Sequence, residues 1–163
     1  MNRIALSIAC VGLVALLGSN PAAAAEGKAA DNHIYAQQLV TELMAGNSDL
    51  MGAGLHAIPP DGTEYQIVAQ LRDIIGRKSS EDDLEIIKQD ATRIYPDTLG
   101  GAPRMKALAP LRDRGGRIIG LAALSFRLGP GVTKLAVHAR LDDILNQLAS
   151  RIPDRAALFR PAP

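Results

Sequence analysis

The stretch RMKALAPLRDRGGRIIGLAALSFRL, residues 104–128, decides the fold. Its first half alternates, with Met105, Ala107 and Leu111 on one side of a strand. Residues 113–116, DRGG, supply a tight turn, and residues 118–128 then form a long second strand. Both faces of that strand are apolar, so it is predicted to lie centrally in an antiparallel sheet, covered on both sides. Pro110 lacks an N–H, which places it at a sheet edge or a bulge.

The upstream sequence predicts a second hairpin and a first helix. Residues 50–58 and 65–70 alternate as strands around the turn PPDG at 59–62. Residues 34–45 carry apolar side chains at helical spacing, and Gly46 and Asn47 end that helix. Ser80, followed by three acidic residues, begins a short helix. Residues 90–103 are predicted to be irregular, with at most a brief pairing over 93–95.

A last helix is predicted over residues 133–151. Its buried stripe comprises Val137, Leu141, Leu145, Leu148 and Ile152. Pro153 ends it, and residues 156–159 form a final apolar turn. Helix, hairpin, short helix, hairpin and helix together indicate a single α+β domain over residues 33–160, an antiparallel sheet flanked by N-terminal and C-terminal helices.

The first 32 residues are predicted not to belong to this domain. Arg3, an apolar run over residues 4–17, and the alanines 22–25 form a secretory signal peptide over residues 1–25. Residues 26–32 follow as a flexible lead. An uncleaved anchor is the alternative, although the apolar run is short for a bilayer. The expected location is the periplasm or the exterior.

Composition narrows the function further. The chain of 163 residues carries 18 Lys+Arg, 17 Asp+Glu and one Cys. Both Cys10 and Arg3 lie in the predicted signal peptide, so the mature chain has no net charge and no thiol. Zero net charge argues against nucleic-acid binding, and no multi-cysteine metal site can form.

The arrangement resembles a PAS-like extracytoplasmic sensor domain of the single Cache (PDC) type, here as a stand-alone secreted protein. The likeness covers about residues 34–159. It rests on the first helix, on GLHAIPP at 54–60, on IGRK at 75–78, and on the hairpin around 113–116. The resemblance implies a curved sheet with a ligand pocket on one face, closed by the middle segment, and a small carboxylate or amine as ligand. No transmembrane or signalling segment is expected after the domain, which would be a departure from most members.

Five residues are candidate ligand contacts: His56, Tyr65, Arg72, Arg77 and Arg104. Cationic groups in the closing segment suit a carboxylate. For each, a plainer role stays open, as a strand histidine, a packed tyrosine or a solvated cation.

No catalytic residue, metal site or cofactor is expected. Asp82 with Asp83, and Asp142 with Asp143, are neighbours on helices and point about 100° apart, so neither pair shares a proton. The function expected is non-catalytic binding of a small extracytoplasmic molecule. The alternative is an interaction protein that forms a homodimer, or docks on a membrane receptor, through the first helix or a sheet edge.

Overall fold

The structure, a computed structural model, describes residues 33–162. The predicted signal peptide and lead, residues 1–32, lie outside them. Within the described part of the chain, no helix is long and apolar enough to cross a membrane.

The domain is α+β, with three α-helices around one antiparallel sheet. In chain order the elements are α1 (Tyr35–Gly46), β1 (Leu50–Ala57), β2 (Gln66–Gln70), α2 (Glu81–Gln89), β3 (Arg93–Leu99), β4 (Ala102–Arg112), β5 (Ile118–Arg127), α3 (Lys134–Arg151) and a 3₁₀ turn (Arg155–Phe159). The strands lie in the order β2-β1-β5-β4-β3. The predicted fold class and the central place of β5 are confirmed.

The first face of the sheet carries the main core. Helices α1 and α3 pack against it, and side chains such as Leu39, Leu55, Leu124 and Leu141 are fully buried there. Over residues 53–57 of β1 and 122–126 of β5, alternation sends every second residue to this face, as the sequence predicts. A bulge between Leu50 and Gly52 interrupts the alternation at the start of β1. On α3 the fully buried stripe includes Ile144, while Leu145, predicted in its place, is only partly buried.

The second face carries a smaller core under α2. Ile86 of α2 packs on Leu121 of β5 and Leu108 of β4. Ser80 begins the helix with a capping box: its hydroxyl accepts from the Asp83 N–H, and the Asp83 carboxylate accepts from the Ser80 N–H. These bonds satisfy backbone donors that a helix start otherwise leaves unpaired.

The expectation that residues 90–103 are irregular is wrong. β3 runs over Arg93–Leu99 and pairs with β4 from Arg93↔Leu108 to Leu99↔Ala102. Gly100 and Gly101 close this hairpin with φ of 58° and 81°, which a two-residue turn of this kind requires. β3 ends its pairing at Leu108, so Pro110 lies where β4 has no partner on that side, as its missing N–H demands.

Residues 71–79, which we call the strap, run back along the outer edge of β2. Ile67 donates its N–H to the Arg77 carbonyl at 2.9 Å, and Ser79 donates to the Tyr65 carbonyl at 2.9 Å. The strap therefore covers the free edge of β2 and leads into α2.

The apolar face of α1 is used inside the domain. Ala36, Leu39, Val40 and Leu43 are all buried against the sheet and α3. A homodimer or receptor contact through that face would have to open the core. Of the two sheet edges, that of β2 is covered by the strap, whereas no described strand or strap pairs with the outer edge of β3.

Candidate functional site

A cleft opens on the second face of the sheet, beside the area that α2 covers. Its volume is about 80 Å³. Small residues form its floor, since Gly52 of β1 lies beside Ser125 of β5, and Ala123 follows on the same side. The residues that surround the cleft are Met44, Met51, Gly52, Ala53, Gln70, Leu71, Arg72, Leu99, Arg104, Ala123 and Ser125.

Arg104 is the best-placed cation of the cleft. It lies on β4 opposite Asp97 of β3, as a cross-strand pair. Its Nε donates to Asp97 at 3.1 Å, its Nη2 also donates to Asp97, and its Nη1 donates to the Ser125 hydroxyl at 2.6 Å. Within residues 33–162 these bonds leave one N–H on each of Nη1 and Nη2 without a described acceptor. The guanidinium is therefore held in place, and two of its N–H groups can still donate hydrogen bonds to a ligand.

The ion pair also fixes the charge of Asp97. The hydrogen bonds from Arg104 hold the pKa of Asp97 below its ordinary value of 3.8, and a backbone hydrogen bond at Thr98 lowers it further. Asp97 is thus ionised at neutral pH and neutralises one positive charge. Arg72, on the exposed strap, contributes a second positive charge to the cleft.

Gln70 lines the cleft and carries a buried side-chain acceptor. Its backbone N–H donates to the side-chain oxygen of Gln37 on α1 at 3.0 Å. Its own Oε1 is buried and has no partner among the described residues. A buried acceptor without a partner costs free energy unless a donor from water or a ligand fills the position.

The structure brings two of the five predicted site residues, Arg72 and Arg104, to this cleft. Tyr65 instead lines a separate groove of about 370 Å³ with Asp113, Arg117 and the 3₁₀ turn. Arg77 is exposed on the strap, where its carbonyl, rather than its guanidinium, makes the described bond. For Tyr65 and Arg77, the prediction of a shared pocket is not supported by their positions.

His56 is buried on β1, with 5% of its surface exposed, beneath the start of α2. Its Nδ1 is hydrogen-bonded to the Ser79 hydroxyl at 2.8 Å and lies 3.8 Å from the Asp83 carboxylate. Burial lowers the pKa of His56 below its ordinary value of 6.5; Asp83 opposes this shift and Lys106 adds to it. His56 therefore belongs to the anchoring of α2 and does not line the cleft.

The His56 cluster does not form a catalytic relay. In a serine hydrolase the hydroxyl and the carboxylate bind different nitrogens of the histidine, whereas here both face Nδ1. Among residues 33–162, no three His, Cys, Asp or Glu side chains are grouped so that they could hold a metal ion.

The cleft residues that were not anticipated as site residues from the sequence include Gln70, Leu99 and Ser125. Ser125 alternates with Ala123 and Leu121 along β5, and this alternation could have indicated that it lies on the second face of the sheet. Its neighbours Gly52 and Arg104 come from other strands, however, and only the register of three strands brings them together.

Comparison with known proteins supports the fold. No family model and no curated protein sequence matches the chain. A solved structure described as a GAF sensor protein from Burkholderia vietnamiensis is similar, with a TM-score of 0.52 and 14% identity, over 75% of this chain and 76% of that one.

Two further solved structures are more distantly similar. A type II free methionine-R-sulfoxide reductase from Thermoplasma acidophilum has a TM-score of 0.48 and 16% identity, over 76% of this chain and 91% of that one. The DcuS sensor domain of E. coli has a TM-score of 0.39 and 12% identity, over 68% and 71%. The chain therefore has a PAS/GAF-like fold. This conclusion rests on the five-stranded antiparallel sheet, its flanking helices and the likeness to the GAF sensor protein.

Proposed function

We propose that the chain is a non-catalytic, sensor-like domain that binds a small carboxylate in the cleft. The observation that carries the proposal is the hydrogen bonding of the Arg104 guanidinium. Asp97 and Ser125 hold its guanidinium, and an N–H remains on each terminal nitrogen. Two such donors match the two oxygens of a carboxylate.

The charge around the cleft favours an anion over an amine. Arg72 and Arg104 carry two positive charges and Asp97 carries one negative charge, so the balance is positive. An ammonium ion would be repelled by this net positive charge.

The size of the cleft limits the ligand. A cavity of about 80 Å³ is well below the roughly 300–1,000 Å³ of pockets for drug-sized molecules. A short carboxylic acid of a few non-hydrogen atoms fits this space, and a large cofactor would not fit without movement of the strap.

The absence of catalysis is part of the proposal. The hydrogen bond of His56 Nδ1 to Ser79, with Asp83 3.8 Å away, supports a structural role for this buried histidine. The signal-peptide pattern of residues 1–25 supports a periplasmic or secreted location, and GLHAIPP with IGRK supports a Cache-type relationship.

The test is a thermal-shift screen of short mono- and dicarboxylates, with short amines as a second arm. Saturating ligand at a hundred times Kd should raise Tm by about 5–10 °C. Arg72→Gln should abolish or strongly reduce the shift. Arg77→Gln is the matched control, an exposed arginine of the same strap outside the cleft, and should respond as the wild type does.

The outcomes separate the alternatives. A shift by amines alone would reject the carboxylate. No shift by either class, or an equal loss in Arg72→Gln and Arg77→Gln, would reject the cleft as the site. A concentration-dependent dimer without any ligand response would favour an interaction protein, with the open edge of β3 as the first surface to test.

A further inference from the structure

His56 joins the sheet to the segment that covers its second face. The histidine lies on β1, Ser79 is the last residue of the strap, and Asp83 lies in the first turn of α2. The hydrogen bond between His56 Nδ1 and Ser79 Oγ, at 2.8 Å, is a side-chain link between β1 and the end of the strap. The Ser79 N–H also donates to the Tyr65 carbonyl. Around it, α2 is held to the sheet by Ile86, which packs on Leu108 and Leu121. Arg93 of β3 adds ion pairs to Glu85 at 3.2 Å and Asp82 at 3.6 Å on the outer side of α2.

The surroundings of His56 are unfavourable for a proton. The side chain is almost fully buried, and transfer of a charge into such a site is costly. Lys106 of β4 adds a like charge, and the N-terminus of α2 adds the positive end of a helix dipole. The strand neighbours of His56 on both sides, Ile67 of β2 and Leu121 of β5, are apolar.

Within the part of the chain that the structure describes, Asp83 is the acidic group that faces His56. Its carboxylate is 3.8 Å from Nδ1, beyond hydrogen-bond distance, and it already accepts the Ser80 N–H of the capping box. Asp83 therefore offsets only part of the cost. The net effect of these groups is a pKa of His56 below 6.5, with burial as the main cause.

We propose that His56 is an acid-sensitive latch, which releases the start of α2 and the end of the strap from the sheet when it takes up a proton. A proton binds more tightly to the open form, in which water reaches the imidazole, than to the closed form. Linkage then requires the open form to gain population as pH falls below the ordinary histidine value. Each pKa unit between the two forms is a tenfold change in the opening equilibrium.

The latch concerns the docking of α2 and does not depend on a ligand. It has one consequence that rests on the proposed function. The strap also supplies Arg72 to the cleft, so opening should weaken carboxylate binding in the same pH range.

Amide hydrogen exchange of the full domain tests the latch. Rates for α2 amides, corrected for the intrinsic effect of pH, should rise between about pH 7.5 and about pH 5, while α1 and β5 amides should not change. His56→Gln should remove the rise in α2. His138→Gln, the matched control on an exposed helix histidine, should keep it.

A second measurement decides the matter if His56→Gln does not fold. An NMR titration of the His56 ring in the wild-type domain should give a pKa below 6.5, and the α2 exchange should follow the same titration. A ring pKa at or above 6.5, or α2 protection that does not change with pH, would overturn the latch. A rise that persists in folded His56→Gln would do so as well.

Discussion

Gly120 of β5 lies directly against His56 of β1: a Cβ on Gly120 would overlap the His56 carbonyl oxygen. No side chain can occupy that position, because the atom in the way is backbone and cannot rotate aside. The two central strands therefore approach each other at a point where only glycine fits.

Gly120→Ala should destabilise the domain strongly. The methyl group must push β1 from β5, at an expected cost of about 3 kcal/mol or more. Urea unfolding would measure this loss. Gly129→Ala is the control, because no atom lies within 4 Å of its Cβ position. If both variants unfold at similar urea concentrations, the close approach is not a constraint.

Gly52→Ala should fill the cleft without disturbing the sheet. The new Cβ would meet Leu99 at 3.7 Å and Ser125 at 3.8 Å, which are ordinary contact distances between residues of the cleft. Affinity for the bound carboxylate should fall at least about tenfold, or 1.4 kcal/mol, by isothermal titration. The free energy of unfolding should stay the same or rise slightly.

The control for this variant is Gly46→Ala, at the end of α1, where a Cβ meets nothing within 4 Å. Its ligand affinity should match that of the wild type. Tight binding retained by Gly52→Ala would place the ligand elsewhere on the domain.

Ser80→Ala should loosen the start of α2. The change removes the acceptor for the Asp83 N–H, and loss of such a cap costs about 1 kcal/mol. Differential scanning calorimetry should show the loss as a lower Tm. Ser150→Ala, on an exposed hydroxyl that bonds only the Gln147 carbonyl, should change stability by less than about 0.5 kcal/mol. Equal effects of the two changes would argue against the capping box.

Stability should fall in acid because of Asp113. Burial tends to raise the pKa of this carboxyl, but hydrogen bonds from the backbone and side chain of Arg117 and from the Gly115 N–H hold it below 3.8. The unfolded chain then takes up protons first as pH falls. The stabilisation is complete above the ordinary value of 3.8 and is lost as pH falls through the lower, folded pKa.

Urea unfolding at a series of pH values from about 5 to about 2 measures this effect. Asp113→Asn should flatten the acid-dependent fall, because the amide does not titrate. Asp73→Asn, an exposed carboxylate of the strap, should leave the wild-type slope. A slope that Asp113→Asn does not change would assign the acid sensitivity to other groups.

Local patterns predicted most of the architecture. Alternation in residues 104–128 was sufficient for β4, β5 and the central position of β5, and helical spacing was sufficient for α1 and α3. β3 was missed because Pro96 interrupts a short, polar run, and proline is a valid signal against an internal strand. The overlooked signal was the pair Gly100-Gly101, which is typical of a two-residue hairpin turn.

The site was less predictable than the fold. Strand parity places Arg104 opposite the core face of β4, and this is confirmed. Asp97 and Ser125, which accept the hydrogen bonds of Arg104 and hold its guanidinium in place, come from two other strands. Their register depends on contacts between distant parts of the chain, which no local pattern contains. His56 was recognised as unusual, but its burial under α2 depends on tertiary packing.

The pairing of β1 with β5 also sets an order on synthesis. The partner of Leu50 is Phe126, and α2, β3 and β4 all lie between them in the chain. During synthesis, one edge of β1 stays unpaired until β5 has left the ribosome. Long-range pairings of this kind slow folding and leave unpaired strand edges exposed to aggregation. The N-terminal half is thus the part of the chain with most to gain from a chaperone.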